Sequence, residues 1–278
     1  MRAYTFPTAE TVIDQAVSEA IGSTASSLTA LQTTSLIRKL DQINRTFVNC
    51  AHTMHQGGAW SWMQDVTNFQ TKAGTTLDGA VTTSDTTIDF TSASDFDSAG
   101  RFWVKTSKGA IDFIDYTGKS SNQLTGVTDI DIAHADAEKA QKCYALPSRF
   151  AKARRLLINN YEYHYQKQEL LPVYGTYYTR GAYIVLPEDV STQDATFYFE
   201  KSPTDISTGD NNTDLATSLD IPEDFMWYAI NSLMGYIYRT RRKREDAQVA
   251  DAMAADELDK ALNYDVNQSI LNGVTTDY

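Results

Sequence analysis

Residues 75–90, TTLDGAVTTSDTTIDF, decide the character of the middle of this chain. The β-branched residues in this stretch favour strands, whereas its aspartates and glycine favour turns. The same composition continues to about residue 143, in five short strand-like pieces: Ala80–Thr82, Thr86–Phe90, Arg101–Lys105, Ala110–Tyr116 and Gln123–Val127. Short strands at roughly ten-residue spacing predict a small all-β sandwich or barrel.

Helical patterns precede this block. Apolar residues follow Thr8 at intervals of three and four, which predicts a helix that Thr8 caps and Gly22 ends. A second helix is predicted from Leu28 or Ser35 to about His55. Its apolar stripe advances in alternating steps of four and three and therefore needs a partner helix; the stripe comprises Leu36, Leu40, Ile43, Phe47 and Cys50. Trp60 and Trp62 then follow, predicted on one face of an extended segment.

Strands and then helices follow the block. Alternating tyrosines at 161, 163 and 165 and two apolar runs, Tyr183–Pro187 and Thr196–Glu200, predict further strands. Residues 202–218 are expected to form a polar loop. Asp220 is a candidate N-cap for the next helix, because Pro222 and Glu223 follow it. A last helix is predicted from Asp246 to about Asn263, and residues 264–278 are expected to be flexible by themselves.

These patterns together predict an α+β protein: an antiparallel helical core with a β-sheet region and an inserted small all-β domain. We place the N-terminal part of the helical core at residues 1–71 and the inserted β module at 72–143. The β-sheet region and the C-terminal helices follow at 144–278. Since an inserted domain enters and leaves its host at one place, Lys72 and Cys143 are expected to lie close together.

Composition excludes several classes of protein. The 278 residues are 42% apolar, which is enough for a packed core. The sequence contains no run of 18 or more apolar residues, so no membrane-spanning helix is predicted. The first seven residues lack the apolar stretch of a secretory signal, and the two cysteines, Cys50 and Cys143, fit a reducing compartment. A net charge of −12 makes tight binding to duplex DNA a poor hypothesis, because phosphate affinity depends on Lys and Arg.

Three short motifs resemble sites of chemistry but lack essential parts. Gly118-Lys119-Ser120 copies the end of a phosphate-binding loop, but Phe113 stands where the motif needs glycine. Cys50 and His52 point about 200° apart on a helix, so only His52 and His55 share a face, and two ligands do not close a metal site. Residues 129, 131 and 136 are aspartates without the glycine and glutamate of a calcium loop. We therefore expect no catalytic, cofactor or metal site.

One strong basic cluster stands out in this acidic chain: Arg239, Arg241, Arg242, Lys243 and Arg244. Two interpretations stay open. The cluster is either a solvated helix end, where cations meet the helix dipole favourably, or a contact for an acidic partner or a DNA backbone.

Two stretches carry a resemblance to proteins of tailed bacteriophages. Thr76-Leu77, Ala80-Val81, Asp85–Ile88, Tyr116–Gly118 and Gln123–Val127 resemble a small β module that recurs in phage virion proteins. The flanking frame is similar to head-to-tail adaptor proteins of podophages, also called tail tubular A-type or head-completion proteins. It comprises Trp60-x-Trp62, Tyr144-x-Leu146-Pro147, Ile184-x-Leu186-Pro187, Tyr198 with Pro203, and Ile221-Pro222-Glu223-x-Phe225 before an Arg-containing helix.

The resemblance implies a structural function without enzymatic activity or a cofactor. It implies a dodecameric ring of identical subunits in the virion neck, made in the host cytoplasm, that joins the portal to tail nozzle, hub or fibre proteins. Double-stranded DNA would pass through the lumen with weak, non-specific contacts, and no membrane is involved. A C-terminal arm would dock into the portal through Val266, Ile270, Leu271, Val274 and Tyr278.

Two other hypotheses stay open. The chain could be a tail-associated binding module whose β insert recognises a glycan or a host surface; an exposed aromatic patch within residues 86–127 would favour it. It could also be a metal-dependent hydrolase, with ligands near His52 and His55 or near Asp129 and Asp131.

Overall fold

A computed structural model describes residues 4–23, 28–54, 60–167, 172–188 and 190–271, without the side chains of 52–54 and 266–271. The chain forms two compact units. The first combines Met1–Gln64 with Lys201–Tyr278, and the second is Asp65–Glu200. Helices build the first unit and several sheets build the second, so the predicted α+β class is confirmed.

The helices of the first unit pack around α4. Their bounds are α1 Ala9–Ile21, α2 Ala30–Met54, α3 Asn211–Ala216, α4 Met226–Thr240 and α5 Arg244–Leu271. Because α4 contacts α1, α2 and α5, most of its side chains are apolar and only Trp227 among its large apolar residues is exposed.

The first two helices have clear end signals. Thr8 Oγ1 accepts a hydrogen bond from Thr11 N, and Gly22 takes the left-handed conformation that ends α1, as predicted. Helix α2 starts where Thr29 and Gln32 cap each other: Thr29 N donates to Gln32 Oε1 at 2.9 Å, and Gln32 N donates to Thr29 Oγ1 at 3.4 Å. The predicted apolar stripe of α2 is buried, except for Cys50, which is half-buried.

An aromatic cluster closes the end of the bundle. Trp60 and Trp62 stack at 4.8 Å between ring centroids, and Trp60 also stacks on Phe47 at 4.9 Å. The prediction of an extended segment was wrong here, because Trp60 O accepts from Met63 N and residues Ser61–Met63 form a 3-10 turn. The turn still places both indoles side by side, and Trp62 Nε1 donates to Asp220 O at 3.1 Å.

The segment before α4 is more structured than predicted. It contains α3, and Asp220 does not cap a helix: α4 follows a 3-10 turn at Glu223–Phe225. Instead, the buried Asp220 carboxylate accepts hydrogen bonds from Asn44 Nδ2 at 3.1 Å and from Thr204 N at 2.6 Å. Asn44 Oδ1 in turn accepts from Asp220 N at 2.8 Å. This exchange attaches the segment to α2.

Helix α5 has 28 residues and is longer than predicted. Residue 264 does not begin a separate tail, because Asp265 is 3% exposed and accepts from Ser61 N at 3.2 Å and Ser61 Oγ at 2.6 Å. These bonds hold the C-terminal part of α5 against the 3-10 turn.

The second unit contains a seven-stranded sheet in the order β1-β14-β10-β11-β12-β13-β9. Its strands are β1 Gln64–Gln70, β9 Tyr144–Ala145, β10 Phe150–Ile158, β11 Tyr161–Tyr165, β12 Thr176–Arg180, β13 Tyr183–Val185 and β14 Asp194–Lys201. Strands β11 and β12 are parallel, with Tyr165 opposite Tyr177. The sheet curls around its apolar core, because Phe69 of one edge strand lies 4.9 Å from Tyr144 of the other between ring centroids.

The β module consists of two small sheets around one apolar cluster. Their orders are β2-β8-β4-β5 and β3-β7-β6. The strands are β2 Thr75–Thr76, β3 Thr87–Asp89, β4 Gly100–Lys105, β5 Ile111–Tyr116, β6 Gly118–Ser120, β7 Gln123–Thr125 and β8 Lys139–Lys142. Phe90, Phe96 and Phe102 pack edge to face or tilted at the centre of this cluster.

The two ends of the module lie together. Lys72 N donates to the Tyr144 hydroxyl at 2.6 Å, and Gln141 Nε2 donates to Lys72 O at 2.8 Å. The module nevertheless belongs to the same compact unit as the seven-stranded sheet, whereas the sequence placed that sheet with the helical core. The reason is a shared apolar cluster of Trp103, Phe113, Cys143, Tyr178 and Val185.

Candidate functional site

The basic cluster forms the connection between α4 and α5. Arg239 lies in the last turn of α4, Arg244 begins α5, and Arg242 between them has a φ of 60°. The connection closes through Lys243 N, which donates to Tyr238 O at 2.9 Å. The structure therefore brings the five predicted residues together at one turn. All five of their side chains are exposed. We call residues 239–244 the basic turn.

Two of the five cations have acidic neighbours. Arg239 Nη1 lies 2.5 Å from Asp251 Oδ2, and Lys243 Nζ lies 3.8 Å from Asp246 Oδ2. Arg241, Arg242 and Arg244 form no ion pair with any residue that the structure describes. Three exposed guanidinium groups therefore remain for an external anion, which suits a carboxylate or phosphate partner.

The predicted docking residues lie at the C-terminal end of the chain. Val266, Ile270 and Leu271 belong to the last turns of α5, although their side chains are outside the description; Val274 and Tyr278 lie beyond the described residues. Residues 266 and 270 are one helical turn apart and so share a face of α5. The last buried side chains before them are Leu262 and Asp265.

The β module contains a buried polar cluster that the sequence patterns did not predict. His134 Nε2 lies 3.2 Å from Asp112 Oδ2, and His134 Nδ1 lies 2.9 Å from Glu138 Oε2. The three side chains are 0%, 1% and 8% exposed, in the order His134, Asp112, Glu138. We call these three residues the histidine clamp.

Backbone donors add to the clamp, although the buried Asp112 Oδ1 has no hydrogen-bond partner among the described residues. Asp112 Oδ2 also accepts from the backbone N–H groups of Asp131 and Ile132, and Glu138 Oε1 accepts from Ser107 N at 3.0 Å. The clamp thus joins strand β5 to the loops on either side of it. Its residues hold structure together, and His134 faces two carboxylates rather than a serine or cysteine.

The clamp favours a charged imidazole. Burial by itself lowers the pKa of His134, but the hydrogen bonds to Asp112 and Glu138 outweigh it, so the pKa is raised. For Asp112, burial raises the pKa, but the His134 bond and the two backbone N–H groups outweigh it, so the pKa is lowered. One signal in the sequence could have found the clamp: Asp112 interrupts an apolar strand, and Glu138 follows His134 by four residues.

The aspartates that resemble a calcium loop are not brought together with other metal ligands. Asp136 Oδ1 accepts from Gly79 N at 2.8 Å, and Asp129 has a φ of 65°, as in a turn. The described residues contain no group of three or more His, Cys, Asp or Glu side chains that could hold a metal ion. The His52 side chain and His55 lie outside the description. Gly118-Lys119-Ser120 forms a strand, so no helix follows the lysine as a phosphate-binding loop requires.

A cleft of about 300 Å³ opens where the edge strands β1 and β9 meet. Phe69 and Tyr144 form its aromatic wall. Lys142 Nζ lies 2.7 Å from Asp97 Oδ2 and 5.5 Å from the centroid of the Tyr144 ring. Since the two charges neutralise each other, the cleft has no strong preference for an ion.

Comparison with known families finds no family model that matches this sequence, and no characterised protein matches it significantly. Among the described helices, none is long and apolar enough to cross a membrane.

Proposed function

We propose that this chain is a structural ring subunit of a tailed bacteriophage, the adaptor that joins the portal to the tail. One observation carries the proposal. The two ends of the chain combine into one helical unit, and the middle of the chain forms a β unit between them. The resemblance to podophage adaptors implies a helical core, and a unit in which the N-terminal and C-terminal helices pack together supports such a core.

The C-terminal helix suits the docking role. Asp265 anchors α5 to Ser61, and the helix backbone continues past this anchor to Leu271. An anchored base with a helical end beyond it is what an arm needs in order to enter a cleft of another protein. In this proposal Val266, Ile270 and Leu271, with Val274 and Tyr278 beyond them, contact the portal.

The basic turn suits weak contact with passing DNA or an acidic subunit. Each phosphate contact is weak, but identical copies in a ring add their contacts through multivalency. The chain as a whole is acidic, with a net charge of −12, which limits adhesion of DNA elsewhere. The virion neck is the proposed location.

The aromatic side chains within residues 86–127 do not favour glycan recognition by the β module. Every one of them is at most 8% exposed: Phe90, Phe96, Phe102, Trp103, Phe113 and Tyr116. Stacking on a sugar ring needs an accessible aromatic face, so this set serves as core.

The test is reconstitution with the cognate portal. The purified full chain and the portal are mixed and imaged by electron microscopy, and we expect a ring of adaptor subunits on the portal. Two truncated chains are tested beside the full chain. One ends at Leu271, and the other ends at Asp265 and so keeps the hydrogen bond between Ser61 and Asp265. Both should fold, as judged by circular dichroism, and the shorter should lose portal attachment.

Lys260→Ala is the matched control, because Lys260 lies on the same helix and pairs with its neighbours Asp256 and Glu257. Attachment should be unchanged in this variant. Normal attachment by the chain that ends at Asp265 contradicts the docking role, and a mature particle whose neck lacks this chain contradicts the whole proposal.

A further inference from the structure

A cluster of exposed apolar side chains lies beside the parallel strand pair of the second unit. Tyr161, Tyr165, Val173 and Tyr174 are 69%, 48%, 65% and 67% exposed. Three of them surround the buried Tyr163: Tyr161 and Tyr165 lie two residues to either side of it on β11, and the Tyr174 ring lies 5.9 Å from the Tyr163 ring. Val173 directly precedes Tyr174. We call these four residues the tyrosine rim.

The rim is large enough for the centre of a protein interface. At ~200 Å² per ring, its three tyrosines expose about 400 Å². That is within the range of the largest patches on monomeric proteins, which are often functional, and about half of what one partner contributes to a standard interface. Tyrosine is also enriched at interfaces, because its ring is rigid and its hydroxyl tolerates water.

Positive charge borders the rim. Residues 149–167, which contain β10 and β11, include five Lys or Arg and one acidic residue, Glu162. Arg155 pairs with Glu162 at 3.1 Å, and Arg154 pairs with Glu200. Lys152 Nζ also lies 4.0 Å from Glu200 Oε1, and Lys167 is exposed. Five cations against one carboxylate leave residues 149–167 with an excess of four positive charges in a chain that is strongly negative overall.

A complementary surface lies on α5. Val249 and Met253 are 56% and 53% exposed and one helical turn apart. Glu245 precedes Val249 by four residues and Asp256 follows Met253 by three, and both are exposed, so carboxylates flank the apolar pair on one face. Asp256 also pairs with Lys260 at 2.7 Å. Residues 244–265 contain seven Asp or Glu against Arg244 and Lys260.

We propose that the tyrosine rim of one copy binds this outer face of α5 on the next copy. Rim against rim would place cations against cations, and α5 against α5 would place carboxylates against carboxylates. Rim against α5 instead pairs apolar with apolar and opposite charges at the border. Such a contact uses two different surfaces of each chain and is therefore heterologous, as a closed ring requires. This inference rests on the proposed ring.

Charge reversal tests the contact. Tyr174→Glu places a carboxylate opposite the acidic face, and Met253→Arg places a cation opposite the basic hairpin. Self-association of the full chain is measured by sedimentation velocity over a series of concentrations. We expect each single variant to weaken association at least tenfold. The chain with both substitutions should recover association, because the introduced carboxylate of one copy then meets the introduced guanidinium group of the next.

Leu31→Glu is the control, because Leu31 is 79% exposed and lies on α2, away from either surface in the sequence. Its association should equal that of the parent chain. The inference is overturned if the parent chain does not associate, if the single variants associate like the parent, or if the double variant shows no recovery. Those outcomes leave the proposed function standing when the parent still forms a ring on the portal. Absence from the neck removes the proposed function, and with it the ring on which this inference rests.

Discussion

Replacement of His134 by alanine should destabilise the β module severely. The change removes both hydrogen bonds of the imidazole and leaves Asp112 and Glu138 without their shared cation, although their carboxyl groups stay 1% and 8% exposed. Removing one partner of a buried ion pair costs about 3–5 kcal/mol. Against a typical unfolding free energy of about 5–15 kcal/mol, this loss is a large fraction of the stability.

The clamp also predicts how stability depends on pH. The pKa of His134 is raised above its ordinary 6.5, so its stabilisation is fully present below that value and is lost as the pH rises through the raised pKa. The pKa of Asp112 is lowered below 3.8, so its stabilisation is present above that value and is lost as the pH falls through the lowered pKa. The parent chain should therefore lose stability from neutral to alkaline pH.

Urea unfolding and hydrogen–deuterium exchange measure both effects. Peptides that span residues 107–138 should exchange faster in His134→Ala, and the alkaline loss of stability should be much smaller than in the parent. Lys260→Ala, at an exposed ion pair of α5, serves as the control and should leave this region unchanged. A destabilisation below about 1 kcal/mol, or an unchanged pH profile, would show that the clamp does not act as a buried charged unit.

Three further predictions concern other contacts. Ser61→Ala should raise hydrogen–deuterium exchange in the last turns of α5 and lower the free energy of unfolding by about 1.5–3 kcal/mol, since Asp265 then loses its hydroxyl donor. Unchanged exchange of residues 256–265 would contradict this prediction. Asn44→Ala should cost about 1–3 kcal/mol in urea unfolding, because Asp220 N loses its acceptor and the Asp220 carboxylate loses one of its donors; a cost within error would count against the role assigned to this pair. Cys143 should resist a thiol reagent in the folded chain, because it is buried and burial raises its pKa; rapid labelling without denaturant would refute this.

Local patterns were sufficient for the ends of α1 and for the apolar stripe of α2 in the helical unit. Thr8 and Gly22 bound α1 as predicted, because a side-chain cap and a left-handed glycine act on their own helix turn. The α2 stripe is buried as predicted, because its 3.6-residue period follows from helix geometry. The strand pieces of the β module, such as Arg101–Lys105, were recognisable for the same reason: their β-branched and aromatic residues favour a pleated backbone.

Contacts between distant residues were decided only by the tertiary structure. Asp220 has the local signature of a helix cap, yet it binds Asn44, which is 176 residues away. The sequence around His134 is typical of a polar loop. Only the packing of β5 against that loop places Asp112 beside His134. Trp103 of the β module and Tyr178 of the seven-stranded sheet share one apolar cluster, which the sequence patterns did not predict. Local sequence specifies backbone conformation, whereas the partner of a polar group depends on which distant segment the core brings within about 3 Å.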